Sequence, residues 1–253
     1  MDEQAADHFW TRRGILGAGL GLGRGKKRRD PWILVHEHIL VDFAGADQVS
    51  PSRYDREQVI AAAKPKLDAI VELGCVRLIE CTPNYLGRDP VLLARLSAIC
   101  GIELWTNTGL YAANQYRHLP RYCWTESALQ LAKRWVSEWK NGIEGTKPRF
   151  IKIGVNSGKL SEMDRKIVEA GAYAALETGL PLASHTGPPK DGISPALEQV
   201  AILEKLKLPL RQFVWVHAQN EKDHAVHEAV ARRGAWVEFD GISARSAAFH
   251  QQC

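Results

Sequence analysis

The 253-residue chain contains no run of eighteen or more apolar residues, so no segment is long enough to cross a membrane as a helix. Paired cysteine motifs are missing too. Cys75, Cys81, Cys100, Cys123 and Cys253 form no CxxC, and their odd number argues against a disulfide framework. Cys75 and Cys81 fall in an apolar, strand-like run and read as buried free thiols. The chain has no GxSxG, no P-loop and no GxGxxG following a strand, which removes the commonest serine-hydrolase and nucleotide-binding signatures. One-sided charge is also absent. The net charge is +4, but seven of the 33 Lys and Arg and four of the 29 Asp and Glu lie in residues 1–30, leaving 26 basic against 25 acidic residues beyond them. A body this close to neutrality carries no electrostatic footprint for nucleic acid. What is present, 45% hydrophobic and 25% charged residues, suits a globular chain with a sizeable core.

The composition divides the chain into a leader, 1–30, and a body, 31–253. In the leader, Arg12 and Arg13 precede the short glycine-rich stretch Gly14–Gly23, which resembles a twin-arginine export signal. Arg24, Lys26, Lys27, Arg28 and Arg29 then stand where a signal peptide would carry small residues. Two readings follow: export to the periplasm if the leader works, or a solvated basic leader on a cytoplasmic protein.

The body alternates short apolar runs with longer amphipathic ones. Candidate strands are Trp32–Val35, Cys75–Cys81, Glu103–Leu110, Arg149–Val155, Pro181–Ser184, Gln212–Val216 and Ala235–Phe239. Helical periodicity runs through Arg56–Leu73 and Ser161–Thr178. Gly74, Gly101, Gly179 and Gly234 close the helical segments just before the next strand, where positive φ is wanted. Strands alternating with helices predict an α/β fold with a parallel, helix-covered sheet. Polar residues at the C-terminal ends of the strands favour a (β/α)8 TIM barrel, with seven of its eight strands evident.

Those polar ends carry the chemistry. His36 and His38 follow an apolar run two residues apart, which in a strand puts both on one face. A lone HxH is often a pair of exposed or core histidines, but His185 and His217 also end strands, and a barrel assembles its site from such positions. Imidazoles gathered this way suit zinc, and also manganese, cobalt or iron. Lys152 lies among apolar residues in Phe150–Val155, where an ammonium is expensive. Either it snorkels or pairs with an acid, or its amine takes up carbon dioxide and becomes a carbamate able to bridge two cations.

His36-Glu-His38, Leu86-Gly-Arg-Asp89, Thr108-Gly-Leu-Tyr111, Gly142-Ile-Glu-Gly-Thr146, Phe150-Ile-Lys152, Ser184-His-Thr186 and Val216-His217 occur in the order and spacing of the phosphotriesterase family of the amidohydrolase superfamily. The resemblance runs from about residue 31 to 245. It implies that His36 and His38 bind the more buried of two divalent metal ions, zinc in the first instance. His185 and His217 would bind the more exposed one, Lys152 as a carbamate would bridge them, and a water or hydroxide between the metals would be the nucleophile. Tyr111 resembles the tyrosine that borders substrate in the lactonase branch, and Asp240 resembles a family position near the substrate pocket. The resemblance also implies a homodimer and a small-molecule substrate.

The sequence departs from the family in two ways. The family's last ligand is an aspartate ending the eighth strand, and no eighth strand is evident before Cys253. Gly241 follows Asp240 where lactonases carry arginine, and Ala218-Gln-Asn-Glu221 replaces an acidic, Gly- or Ser-rich run. The expected function is therefore a binuclear metal hydrolase of ester, lactone or phosphoester bonds. The alternative is a catalytically impaired metal-binding remnant of such an enzyme. Trp105, Tyr111 and Trp124 are expected near the barrel mouth or in the core, Arg88 and Asp89 at a loop and helix start, and His224 and His227 on a solvated helix face.

Overall fold

The computed structural model describes residues 30–243 and residue 246. The leader's arginines and glycines and Cys253 lie outside the described residues. Eight strands alternate with helices: β1 (Trp32–Glu37), β2 (Cys75–Glu80), β3 (Glu103–Trp105), β4 (Asn107–Thr108), β5 (Phe150–Val155), β6 (Leu182–Thr186), β7 (Phe213–Val216) and β8 (Trp236–Val237). All pair in parallel, in the orders β1-β2-β3 and β4-β5-β6-β7-β8.

β3 and β4 are two halves of the single strand expected over Glu103–Leu110, so the expected count of seven matches. The break falls at Thr106, whose carbonyl accepts from Arg149 N–H (2.9 Å) as the chain turns from its partner β2 toward β5. Asn107 fills the gap in the ladder: its side-chain amide donates to the carbonyls of Glu80 (3.1 Å) and Thr82 (3.0 Å). Backbone groups that would lose a partner at the break are thus satisfied by a side chain.

The principal helices are α1 (Arg56–Glu72), α2 (Pro90–Cys100), α4 (Ala128–Asn141), α5 (Glu162–Thr178), α6 (Pro195–Lys205) and α7 (His224–Arg232), with a single turn, α3 (Tyr122–Thr125), before α4. Their starts follow from local chemistry. Asp89 caps α2 by accepting from Leu92 N–H with Pro90 in the first turn, and Ser127–Gln130 and Ser161–Asp164 form capping boxes. Gly74, Gly101, Gly179 and Gly234 all adopt positive φ, as the helix ends require. Along α5, Ala170, Gly171, Ala172, Ala174 and Ala175 are buried, and a Cβ on Gly171 would meet Leu182 at 2.8 Å. Small residues there let the helix lie close against β5 and β6.

Two apolar layers result. One packs helices against the outer sheet face, with Ile151, Ile153, Val155, Ile167, Val168 and Phe213 at its heart. The other lies inside the curved sheet and gathers Ile79, Cys81, Trp105, Phe150, Ala183, Val214 and Val216, with Trp236 against it. Cys75 and Cys81 are buried free thiols. Among the described residues no helix is long and apolar enough to cross a membrane.

Candidate metal centre

The C-terminal ends of the strands bring four histidines together. His36 belongs to β1 and His38 follows it, with ring centroids 5.2 Å apart. His185 sits within β6, one residue further inside its strand than the sequence suggests. His217 follows β7 directly. Its ring lies 4.8 Å from that of His36 and 4.5 Å from that of His185. Burial and then the charge of His217 hold His185 well below the ordinary imidazole range. His38 is exposed at the rim, yet burial of its ring, then His36 and Lys152, push its pKa down to about 3. Neutral imidazoles with available lone pairs are what a metal requires.

Lys152 stands at the centre of β5, every residue of which is buried. It is 2% exposed, and its Nζ has no hydrogen-bond partner. Of the two sequence readings, snorkelling or pairing with an acid does not describe it. Two glycines shape its surroundings. Gly109 has φ +115°, and a Cβ there would stand 2.1 Å from the Lys152 carbonyl oxygen. A Cβ on Gly154 would stand 2.5 Å from the Tyr111 ring. These close approaches lay Tyr111 against β5 with its hydroxyl 3.2 Å from His185 Nε2, and burial pushes its pKa up to about 12.

Asp240 joins the cluster from beyond β8. His217 Nδ1 lies 2.8 and 2.7 Å from its two carboxylate oxygens, and His36 Nδ1 lies 3.0 Å from Oδ2. A carboxylate only accepts, so His217 Nδ1–H donates to it and Nε2 keeps its lone pair. Burial acts to raise the Asp240 pKa, but hydrogen bonds from His217 and His36 outweigh it and hold the carboxyl well below the usual carboxylate range. Gln219 brackets the same carboxylate, its amide donating to Oδ1. Ligating atoms of His36, His217 and Asp240 all lie within 4.8 Å of one another, close enough to surround a cation.

Three supports escaped the sequence reading. Thr82 donates its hydroxyl to Glu80 (2.5 Å), so its oxygen accepts from His38 Nδ1–H (2.8 Å), leaving His38 Nε2 free. Glu80 also accepts from the Ile39 and Thr82 amides, and burial raises its pKa to about 7 against those bonds. His227 corrects an expectation: it is 7% exposed, not solvated, because α7 turns it inward to donate from Nε2 to the Ala218 carbonyl (2.8 Å), while His224 stays exposed. That bond fixes a strained turn, since His217 adopts φ +63°. Glu238, buried beside His36, is the third.

Other singled-out residues lie elsewhere. Asp89 caps α2, and Arg88 pairs with Glu138 at 2.8 Å. Trp105 packs inside the barrel, whereas Trp124 is 53% exposed and belongs to neither core nor histidine cluster. The short helix α3 ends one residue later, at Thr125, and leaves Trp124 exposed.

Parallel strands wound by helices, with histidines collected at the carboxyl ends, define the class: an α/β barrel whose site sits where barrel enzymes place theirs. Sequence comparison narrows it, because the profile of the phosphotriesterase family matches residues 29–251. The chain belongs to that family. It is 28% identical over 218 residues to the phosphotriesterase homology protein of Escherichia coli K12, covering 85% of this chain and 71% of that one. It is 25% identical to the aryldialkylphosphatase of Saccharolobus solfataricus, covering 82% of this chain and 65% of the relative. The crystal structure of the Escherichia coli protein, complexed with phosphate in its active site, superposes with a TM-score of 0.71 at 26% identity, over 85% of this chain and 72% of that one. The chain thus spans about two thirds of the length of these relatives.

Proposed function

We propose that this chain is a hydrolase of ester, lactone or phosphoester bonds that depends on two divalent cations. The observation that carries this reading is Lys152, an amine 2% exposed and without a partner beneath four converging histidines. A buried, unanswered amine is expensive, and conversion to a carbamate would turn it into an oxygen donor. His36 and His38 would hold one cation, His185 and His217 the other, with carboxylated Lys152 between them. When bound, such a pair supplies Lewis acidity toward a carbonyl or phosphoryl oxygen and an acidified water. Zinc suits this imidazole and oxygen set, and manganese, cobalt and iron share the preference.

The protein's own residues then orient and select. Asp240 and Thr82 fix the tautomers of His217 and His38. Tyr111 keeps its proton at neutral pH and is placed to donate a hydrogen bond to a substrate oxygen beside His185. The aryldialkylphosphatase activity named for one relative and the phosphate held by another support an electrophilic carbonyl or phosphoryl centre as the target.

The test is metal content by mass spectrometry on the wild-type chain and Lys152→Ala, with turnover of an aryl phosphotriester, an aryl ester and a lactone. About two ions per chain, falling at least tenfold in affinity in the variant, together with turnover of one substrate, is the expected result. Metal without turnover would instead favour the impaired remnant, and no stoichiometric metal would sink the reading.

A further inference from the structure

The backbone alternation around β8 sorts its side chains into two sets. Val237 and Phe239 pack with the outer, helix-facing layer, while Trp236 packs inside the barrel with Val214 and Val216. Glu238, two residues beyond Trp236, therefore shares the inner face with Asp240. Its side chain is 9% exposed, and neither carboxylate oxygen has a hydrogen-bond partner. The nearest recorded basic group is His36 Nδ1 at 3.6 Å from Oε1, too long for a hydrogen bond, and that nitrogen is turned to Asp240 Oδ2 at 3.0 Å instead. Across the barrel Lys152 Nζ is unanswered as well, and both charges bear on the thiol of Cys81. An amine and two carboxylate oxygens, both groups near enough to Cys81 to act on its thiol, are thus left without partners, although groups buried this deeply are ordinarily satisfied.

We infer that Glu238 is a metal ligand, an inner-face carboxylate that completes the coordination of the cation held by His36 and His38. The inference rests on the metallohydrolase reading. Asp240 is already engaged by His217, His36 and Gln219, so Glu238 is the carboxylate whose oxygens are free to coordinate. A hard oxygen donor beside two imidazoles matches the mixed donor sets of zinc, manganese and cobalt.

The experiment titrates cobalt(II) into the metal-free wild-type chain, Glu238→Gln and Glu238→Asp, reading chelator-competition affinity and the visible absorption of bound cobalt. Thermal unfolding of each metal-free form is followed alongside. Glu238→Gln keeps shape and removes the donor. It is expected to weaken one of two cobalt sites by about tenfold or more and to alter that site's absorption, with Glu238→Asp falling between. Unchanged affinity and spectrum in Glu238→Gln would overturn the inference. So would a variant that destabilises only the metal-free protein, since Glu238 would then be serving Lys152 as a counter-ion. If Glu238→Gln does not fold, Glu238→Asp decides: a shifted spectrum is expected, and an unshifted one overturns. A wild-type chain that takes up no cobalt defeats the parent reading instead, an outcome distinct from both.

Discussion

β5 and β1 both deliver metal-ligand candidates, yet they are built differently. Every residue of β5 is buried, between α5 on one side and the barrel interior on the other, whereas every residue of β1 is only half-buried. β8 resembles β1. Lys152 and His185 therefore stand on strands fixed by packing, while His36 stands on, and His38 and Asp240 just beyond, strands that are less buried. The centre joins a rigid half to a softer one. In such an arrangement the packed half sets the position of the site, and cations, if bound as proposed, would hold the other half against it.

This contrast can be broken from either side. The largest effect is expected in the packed half, where Ile153→Ala should cost about 4 kcal/mol in chemical denaturation, because Ile153 is fully buried and its cavity cannot collapse. Cation binding comes next. A free concentration a hundred times Kd should stabilise by about 2.7 kcal/mol, and hydrogen exchange should show the added protection in β1 and β8 rather than β5. Equal protection across all strands would erase the distinction.

Acid sharpens the comparison in the metal-free protein. His185 is depressed below its ordinary value, so the unfolded chain binds the proton first. Stability is full above about pH 6.5 and falls as pH drops below it, by about 1.4 kcal/mol per unit for this group. Thermal melts between pH 7 and 4 would show it, and a flat profile would contradict it. The smallest effect is assigned to β1: Leu34→Ala should cost only about 1 kcal/mol, since the side chain is half-buried. A loss equal to that of Ile153→Ala would show that β1 is as tightly held as β5.

Much of this was legible in the sequence. Strand alternation, the helix-ending glycines and the strand-terminal histidines follow from periodicity and local chemistry. Bounds moved by one or two residues where a ladder continued past the apolar run, as at His36 and His185. Only Glu103–Leu110 divided, because Asn107 replaced a backbone ladder with its side chain, an exchange that depends on a neighbouring strand. The supports were harder to see for the same reason. Thr82 and Glu80 are ordinary residues until β1 lies beside β2. His224 and His227 share a helix, and only the position of Ala218 separates a buried ring from an exposed one. Glu238 did carry a signal, since the two-residue spacing that singled out His36 and His38 also links Glu238 to Asp240.

The 3.0 Å approach of Asp240 to His36 has a consequence for assembly order. The two residues are separated by roughly two hundred positions, so their meeting is among the most non-local contacts of the described residues and carries a large loop-closure cost. On the ribosome His36 and His38 emerge first and must wait for the roughly two hundred residues between them and Asp240 before Asp240 can reach them. Cations captured before that moment would meet an incomplete set of donors. If the centre holds metal as proposed, its loading would await the synthesis of Asp240, and a nascent chain stalled short of Asp240 should hold metal weakly.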